Sequence, residues 1–107
     1  MANNLGTDVL IQAEDIQRAA AFYVEQLGCS ITEEAPNMIS LHGDKINLFI
    51  EKGPALGPVF EVTVANVDEA KARLVKNGCT VVKDEPDFPR CYVQDPYGLI
   101  YNLAPGA

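Results

Sequence analysis

Apolar residues recur at two different spacings along this chain, and the spacings change in the same order twice. The run from Asp8 to Gln12 is a short strand-like run, and a stretch of helical spacing follows it. Asp15 precedes the first apolar position of that stretch and Gly28 follows the last, where a helix N-cap and a terminal glycine are expected. The pattern therefore predicts a strand followed by an amphipathic helix.

Three further strands are predicted after this helix, at about 29–33, 38–42 and 45–51. The segment His42-Gly43-Asp44-Lys45 between the last two is typical of a hairpin turn. A stretch without any periodicity comes next, which is Gly53-Pro54-Ala55-Leu56-Gly57-Pro58. We interpret this glycine- and proline-rich stretch as a linker between two modules.

The same order of elements returns in the second half. A strand at 59–64 precedes a helix with Asn66 as its N-cap and Glu69 at the capping-box position. Three more strands are predicted, at about 79–83, 90–94 and 99–104. The last two are joined by a segment with the residue types of a type I turn, Asp95-Pro96-Tyr97-Gly98.

A sequence repeat supports two equivalent modules. The segment Leu27-Gly28-Cys29-Ser30-Ile31-Thr32 recurs fifty positions later as Asn77-Gly78-Cys79-Thr80-Val81-Val82, and Pro36 recurs as Pro86. We predict an α+β fold of one domain, residues 1–107, with βαβββ modules at about 7–52 and 59–104. A pseudo-twofold relates the modules, and the strands form a curved mixed sheet with the helices on its outer face.

The sheet face that the helices leave uncovered is the predicted place for a site. Strand alternation assigns apolar residues to the helix side and leaves apolar, amide and carboxylate side chains on the other face. Such a mixture is typical of a cleft that binds a small molecule. The side chains assigned to this cleft are Asp8, Gln12, Asn47, Phe49, Glu51, Val59, Glu61, Thr63 and Asn102.

Two motifs, one in each half, connect the chain to a known group of proteins. The first is Asp15-Ile16 followed by Phe22-Tyr23 and Leu27-Gly28, and the second is Asp95-Pro96-Tyr97-Gly98 followed by Leu103. With the two βαβββ modules they cover nearly the whole chain. In this order and spacing they resemble the vicinal oxygen chelate superfamily of glyoxalases, bleomycin-resistance proteins and extradiol dioxygenases.

The resemblance implies where a divalent metal would bind, because enzymes of this superfamily hold one at the centre of the sheet. Its ligands, typically His and Glu, come from the first and last strands of each half. The matching positions here are Asp8, Asn47, Val59 and Asn102. One carboxylate, two amides and a valine are poor ligands for transition metals and carry too little charge for Mg²⁺. We therefore expect no metal cofactor.

Other polar and aromatic residues near these positions are candidates for binding a metal ion or a ligand. His42 precedes the Gly43-Asp44 turn, so we expect it at the sheet edge and exposed. Glu51 and Glu61 are the remaining carboxylates, and Glu61 is expected at the cleft as a solvated group or a ligand contact. Tyr92 and Tyr101 are able to stack on a ligand, although strand aromatics more often pack in a core.

Net charge and cysteine content indicate which binding partners and which cell compartment to expect. The chain has a formal net charge of −7 and no basic stripe, which argues against nucleic acid and favours a cationic ligand. No apolar run reaches the ~20 residues of a membrane span and no signal-peptide pattern is present, so we expect a cytoplasmic protein. Cys29, Cys79 and Cys91 are expected to pack as small apolar residues in a reducing compartment.

Three classes of function follow from these features. A metal-free protein that binds a small cationic or aromatic molecule, resembling the bleomycin-resistance branch, fits the missing ligands and the acidic chain best. The alternative is a metal-dependent enzyme, either a glyoxalase-like lyase or isomerase or an extradiol dioxygenase. A scaffold whose cleft is filled by its own side chains is the third. Open sheet edges and the resemblance also imply a homodimer, in which modules exchanged through the linker are one arrangement.

Overall fold

A computed structural model describes residues 3–86 and 90–106 of the chain. The described elements follow the order β-α-β-β-β twice, which confirms the predicted α+β class and its two βαβββ modules. Three predicted strands match the observed bounds, and the others differ by a few residues at their ends. The elements are β1 Asn4–Ala13, α1 Ile16–Leu27, β2 Ser30–Ala35, β3 Met38–His42, β4 Asn47–Lys52, β5 Val59–Val64, α2 Val67–Lys76, β6 Thr80–Glu85, β7 Arg90–Gln94 and β8 Ile100–Pro105.

The chain divides into two compact units, which we call the N-terminal and C-terminal modules. The N-terminal module is Thr7–Pro58, and the C-terminal module is Val59–Ala107 together with Met1–Gly6. The strand order is β2-β3-β4-β1 in the first and β6-β7-β8-β5 in the second. In both modules the first strand pairs parallel with the last, and the other pairs are antiparallel. Each module is therefore a mixed sheet with the same connections.

Local capping interactions explain where the helices begin and end. The Asp15 side chain accepts a hydrogen bond from the Arg18 backbone N–H, at 3.0 Å, and Gly28 ends α1 in the left-handed region at φ 74°. Asn66 caps α2 in the same way, because its Oδ1 accepts from the Glu69 N–H at 2.9 Å. The predicted caps are confirmed. Neither helix, nor any other in the described residues, is long and apolar enough to cross a membrane.

The core of the N-terminal module lies between α1 and one face of its sheet. Alternate residues of β3 and β4 pack against Ile16 and Ala20 of the helix, and Val9 and Ile11 of β1 join them. This packing confirms the predicted helix side of β1. Alternation along the predicted strand 45–51 places Ile46 on the same side as Leu48 and Ile50. It is nevertheless 43% exposed, because the turn continues through it and β4 begins only at Asn47.

The core of the C-terminal module has the same construction. Val62, Val64 and Leu103 of the parallel strand pair pack with Ala70 of α2, and Tyr101 is partly buried against them. Cys79 and Cys91 belong to this core, as expected of small apolar residues, and Cys29 packs against the other core. Phe60, which alternation places on the same face, is only half-buried.

The outermost strand of each module contains a β-bulge at the same place in the repeat. In β2 the register with β3 shifts between Ile31 and Glu33, which leaves Thr32 as the extra residue. In β6 the shift lies between Val81 and Lys83, fifty positions later. The repeat therefore extends from the sequence to an irregular detail of the backbone.

Candidate functional site

Each module has a second sheet face, on the side away from its core. Residues that pair directly across neighbouring strands lie on the same face, so the pairing defines rows of side chains. In the N-terminal module the rows are His42–Asn47–Asp8, Ser40–Phe49–Leu10 and Met38–Glu51–Gln12. In the C-terminal module they are Gln94–Ile100–Val59, Tyr92–Asn102–Glu61 and, from two strands, Ala104–Thr63.

The predicted site residues fall on these faces in two separate sets. Asp8, Gln12, Asn47, Phe49 and Glu51 share the face of the N-terminal module. Val59, Glu61, Thr63 and Asn102 share the corresponding face of the C-terminal module. Within each module, the predicted site residues therefore share one face of the sheet, as the alternation of side chains predicts.

A chain of three hydrogen-bonded side chains crosses the first row of the N-terminal module. The Asn47 Nδ2 donates to Asp8 Oδ1 at 2.9 Å, and the Asn47 Oδ1 lies 2.9 Å from Nδ1 of His42. Asp8 and Asn47 are half-buried, whereas the His42 side chain is exposed. We call these three residues the Asp8–Asn47–His42 row. Its two side-chain hydrogen bonds join β1, β4 and β3.

The position of His42 corrects part of the sequence-based expectation. It is exposed, as predicted, but β3 lies between β2 and β4 and is no edge strand. The hairpin pairs the last residue of β3 with the first residue of β4, and so brings His42 beside Asn47. The turn motif predicts the hairpin, but the residues that pair across it follow only from the strand register.

Several other predicted site residues have a partner within their own module. The Asn102 Oδ1 accepts the Cys91 backbone N–H at 2.9 Å, and the Gln12 Oε1 accepts the Leu56 N–H of the linker at 3.1 Å. Val59 is 2% exposed and has no polar atom in its side chain. These groups therefore have structural roles that compete with ligand binding.

The strand register changes which positions of the two modules are equivalent. Asp8 pairs with Asn47, the first residue of β4, and Val59 pairs with Ile100, the first residue of β8. Asn102 lies two positions further along β8, so its equivalent in the N-terminal module is Phe49. The expected equivalence of Asn47 and Asn102 is therefore wrong. The cause is the turn, where Gly43 N–H donates to Ile46 O at 2.9 Å and delays the start of β4.

Metal-ligating side chains do not gather in the described part of the chain. Within residues 3–86 and 90–106, no group of three or more His, Cys, Asp or Glu side chains is placed to hold a metal ion. In the Asp8–Asn47–His42 row, the middle side chain is an amide whose two polar atoms both face protein neighbours.

The C-terminal module has a cavity on the helix side that the sequence did not indicate. It has a volume of about 320 Å³, and Val62, Leu74 and Leu99 give it apolar walls. Tyr101 and Asp95 also line it, and the Tyr101 hydroxyl lies 3.8 Å from Cys79 Sγ. Burial, with Cys79 and Asp95 nearby, raises the pKa of the Tyr101 phenol well above its ordinary value. This phenol stays a hydrogen-bond donor over the physiological pH range.

Comparison with known proteins identifies the family. A family model described as a glyoxalase-like domain matches residues 8–104. The chain belongs to this glyoxalase-like family, within the superfamily that the motifs indicated. No curated protein matches it.

Solved structures share the fold across the whole chain. A glyoxalase/bleomycin resistance protein/dioxygenase superfamily member from Vibrio splendidus 12B01 has a TM-score of 0.65 and 16% identity, over 98% of this chain and 100% of that one. A hypothetical protein from Bacillus halodurans C-125 has a TM-score of 0.68 and 16% identity, over 100% of this chain and 96% of that one. Homoprotocatechuate 2,3-dioxygenase from Brevibacterium fuscum reaches 26% identity and a TM-score of 0.63, over 95% of this chain and 36% of that one.

Proposed function

We propose that this protein binds a small cationic or aromatic molecule, without a metal ion, on the sheet faces opposite its cores. The observation that supports this most is the donor set at the family's metal positions. Asp8, Asn47, Val59 and Asn102 contain one carboxylate among them. With Phe49 in place of Asn47, as the register indicates, the set still contains one. Either set is a weak site for a divalent ion, whichever equivalence applies.

The hydrogen bonds of the two amides support the same conclusion. Asn47 Oδ1 faces His42, and Asn102 Oδ1 accepts a backbone N–H of β7. A metal ion that used either oxygen would have to displace a protein donor. Leaving a buried backbone donor without a partner costs about 1–3 kcal/mol. The two amide oxygens therefore stabilise the sheet through hydrogen bonds that metal binding would break.

The side chains around these positions favour a cation or a flat apolar group. Phe49 stands in the row between the Asp8–Asn47–His42 row and Glu51, and all are on one face. Glu61 lies beside Asn102 on the other module. Carboxylates attract a cation, an aromatic face adds cation–π attraction, and the net charge of −7 increases the rate of encounter.

A metal-dependent enzyme is the second candidate. One observation favours it, because the Asp8 carboxylate and the His42 imidazole stand on either side of Asn47 in one row. A rotation of Asn47 would present two of the residue types that bind divalent ions in proteins. The third class, a scaffold with a vestigial cleft, is supported by the burial of Val59 and Tyr92, which are each 2% exposed.

Thermal melting of chelator-treated protein with single metal ions separates the first two candidates. We expect no shift of the melting temperature with Mg²⁺, Mn²⁺, Fe²⁺, Co²⁺, Ni²⁺ or Zn²⁺, and a saturable rise with an aromatic ammonium compound, since a ligand of the native state stabilises it by mass action. A saturable rise with one metal ion would contradict the metal-free proposal and favour the enzyme. No shift with any compound would favour the scaffold.

A homodimer is part of the proposal on the basis of family resemblance. Light scattering coupled to size-exclusion chromatography tests it directly. A mass twice that of the 11.6 kDa chain is expected, and a mass equal to one chain would contradict it.

A further inference from the structure

We infer that the Asp8–Asn47–His42 row binds an organic cation that carries N–H groups. Nε2 of His42 accepts a hydrogen bond from one of these groups. This inference rests on the proposed function and deepens it, because it names the row, the atom and the chemical class of the ligand. An ammonium or guanidinium group is included in the class, whereas a quaternary ammonium group is not.

The hydrogen bonds fix the orientation of each group in turn. A carboxylate accepts hydrogen bonds and donates none, so the Asn47 atom that faces Asp8 must be the donor Nδ2. The Oδ1 of the same amide then faces His42, and an amide oxygen only accepts. The proton of a neutral His42 must therefore be on Nδ1, because this nitrogen is the one that approaches Asn47.

This tautomer of His42 leaves one hydrogen-bond acceptor of the ring exposed to solvent. With the proton on Nδ1, Nε2 has a free lone pair, and the ring is exposed. Asp8 has a second carboxylate oxygen beyond the one that Asn47 occupies. The row thus presents acceptors, and a ligand that matches it supplies donors. Phe49 in the next row provides an apolar surface for the rest of such a ligand.

The charged neighbours of His42 give the row a net negative character. Asp8 comes from β1, while Asp44 and Lys45 belong to the turn that follows β3. The partner of His42 on β2 is Ser30, which is uncharged. The charged groups of the row and of the adjoining turn are therefore two carboxylates and one ammonium group, a balance that favours a cation over an anion as the ligand.

The imidazole proton is directly observable, because the chain contains one histidine. Long-range ¹H–¹⁵N spectra of ¹⁵N-labelled protein, recorded where the imidazole is neutral, report which nitrogen carries the proton. We expect the Nδ1–H form in the wild type. Asn47→Leu removes the acceptor and should convert most of the population to the Nε2–H form, which free histidine prefers. Asp8→Asn should give a mixture, because the Asn47 amide is then no longer oriented.

A control of equal charge change is available beside the same residue. Asp44→Asn removes one carboxylate two positions from His42, but Asp44 takes no part in the row, so the Nδ1–H form should persist. The amide and methyl spectra of each variant show whether it is folded. A wild type with the proton on Nε2 would overturn the inference.

Two probes of similar shape test the ligand class. Benzylammonium has N–H donors, and benzyltrimethylammonium has the same charge and ring without them. We expect benzylammonium to shift the Nε2 resonance saturably and to bind about fivefold more tightly than the quaternary probe, which is the net effect of about one hydrogen bond. In Asn47→Leu this preference should disappear, and in Asp44→Asn it should remain.

The outcomes separate this inference from the proposed function. Equal binding of the two probes would overturn the role of the row and leave cation binding intact. Binding of neither probe would overturn both the inference and the cationic part of the proposed function. A melting response to a divalent metal alone would contradict the metal-free proposal and, with it, this inference.

Discussion

Asp95 shows how a single carboxylate closes the turn between β7 and β8. Its Oδ1 accepts the backbone N–H groups of Tyr97 and Leu99, at 2.9 and 3.0 Å, and its own N–H donates to Leu99 O at 2.9 Å. The side chain thus supplies an acceptor for donors that the turn leaves without a strand partner. Residue preference predicted this turn, because the interaction is local and needs no other part of the fold.

We expect Asp95→Ala to lower the free energy of unfolding by about 1–3 kcal/mol, because two backbone donors lose a charged acceptor. Asp95→Asn keeps the accepting oxygen and should lose less. Urea unfolding followed by circular dichroism measures both. Asp44→Ala, in the turn of the other module, is the matched control and should change stability by less than about 0.5 kcal/mol. Equal losses in Asp95→Ala and Asp44→Ala would contradict the capping role.

Tyr101 should make the protein sensitive to alkaline pH. Burial raises the pKa of its phenol above the ordinary value of 10.0, so the unfolded chain loses this proton first as the pH rises. The stabilising contribution is complete below about pH 10 and falls above it, by at most about 1.4 kcal/mol per pH unit. Unfolding free energies between pH 8 and 11, values chosen around the ordinary tyrosine range of about 10, should therefore fall less steeply in Tyr101→Phe.

Tyr97 provides the control for this measurement because its side chain is 94% exposed. Tyr97→Phe removes the same type of group from the turn before β8 and should keep the slope of the wild type. If the Tyr101→Phe and wild-type slopes agree, the buried phenol is not the group that links stability to pH.

At the scale of elements, the sequence predicted those features whose cause is local. Both helices begin at the predicted capping residues, Asp15 and Asn66, and α1 ends at the predicted glycine. The start of β4 was predicted two residues early, because the turn after β3 extends to Ile46 through a backbone bond. Both residues of that bond lie within the four positions before β4, but the residue types of Gly43 and Asp44 do not specify how many residues the turn includes.

Gly28 should be the more sensitive of two glycines that flank regular elements. Its φ of 74° lies in the left-handed region, and nothing lies within 4 Å of an added Cβ, so the cost of a side chain there is conformational. We expect Gly28→Ala to destabilise the fold by about 1–2 kcal/mol, and Gly28→Asn by less. Gly43→Ala is the control, since Gly43 has no positive φ and its Cβ would meet Ile46 Cγ1 at an ordinary 3.5 Å. Thermal or urea unfolding distinguishes them, and equal losses would contradict the conformational explanation.

At the scale of the whole molecule, the sequence predicted the modules and the side of each site residue, but not the bonds among them. Strand alternation is sufficient to place Asp8 and Asn47 on one face. The place of His42 in the row depends on the pairing of β3, β4 and β1, and β1 is distant from the other two strands in the sequence. The equivalence of Asn102 with Phe49 also depended on the strand register. Alternation shows which face a residue lies on, but a register shift of two residues leaves that face unchanged.

The proposed binding of a cation should depend on salt, because the molecule is acidic. We expect Glu61→Gln to weaken binding of benzylammonium by roughly 0.2–1 kcal/mol, the usual range for an exposed ion pair, and to reduce its dependence on ionic strength. Glu33→Gln on the exposed strand β2 changes the net charge equally and is the matched control. Titrations at low and high salt measure both variants. Identical behaviour of the two would mean that net charge, rather than the position of Glu61, governs binding.

The matching bulges in β2 and β6 affect how copies of this chain meet at high concentration. A straight outermost strand presents a regular row of backbone donors and acceptors on which a further chain can grow as a fibril, and a bulge interrupts that row. Each module has its bulge in its outermost strand, and Glu33 and Lys83 stand beside the extra residue. Growth of one copy on another by strand addition is therefore hindered at both positions. The repeat that duplicates the fold therefore also duplicates the interruption of its outermost strands.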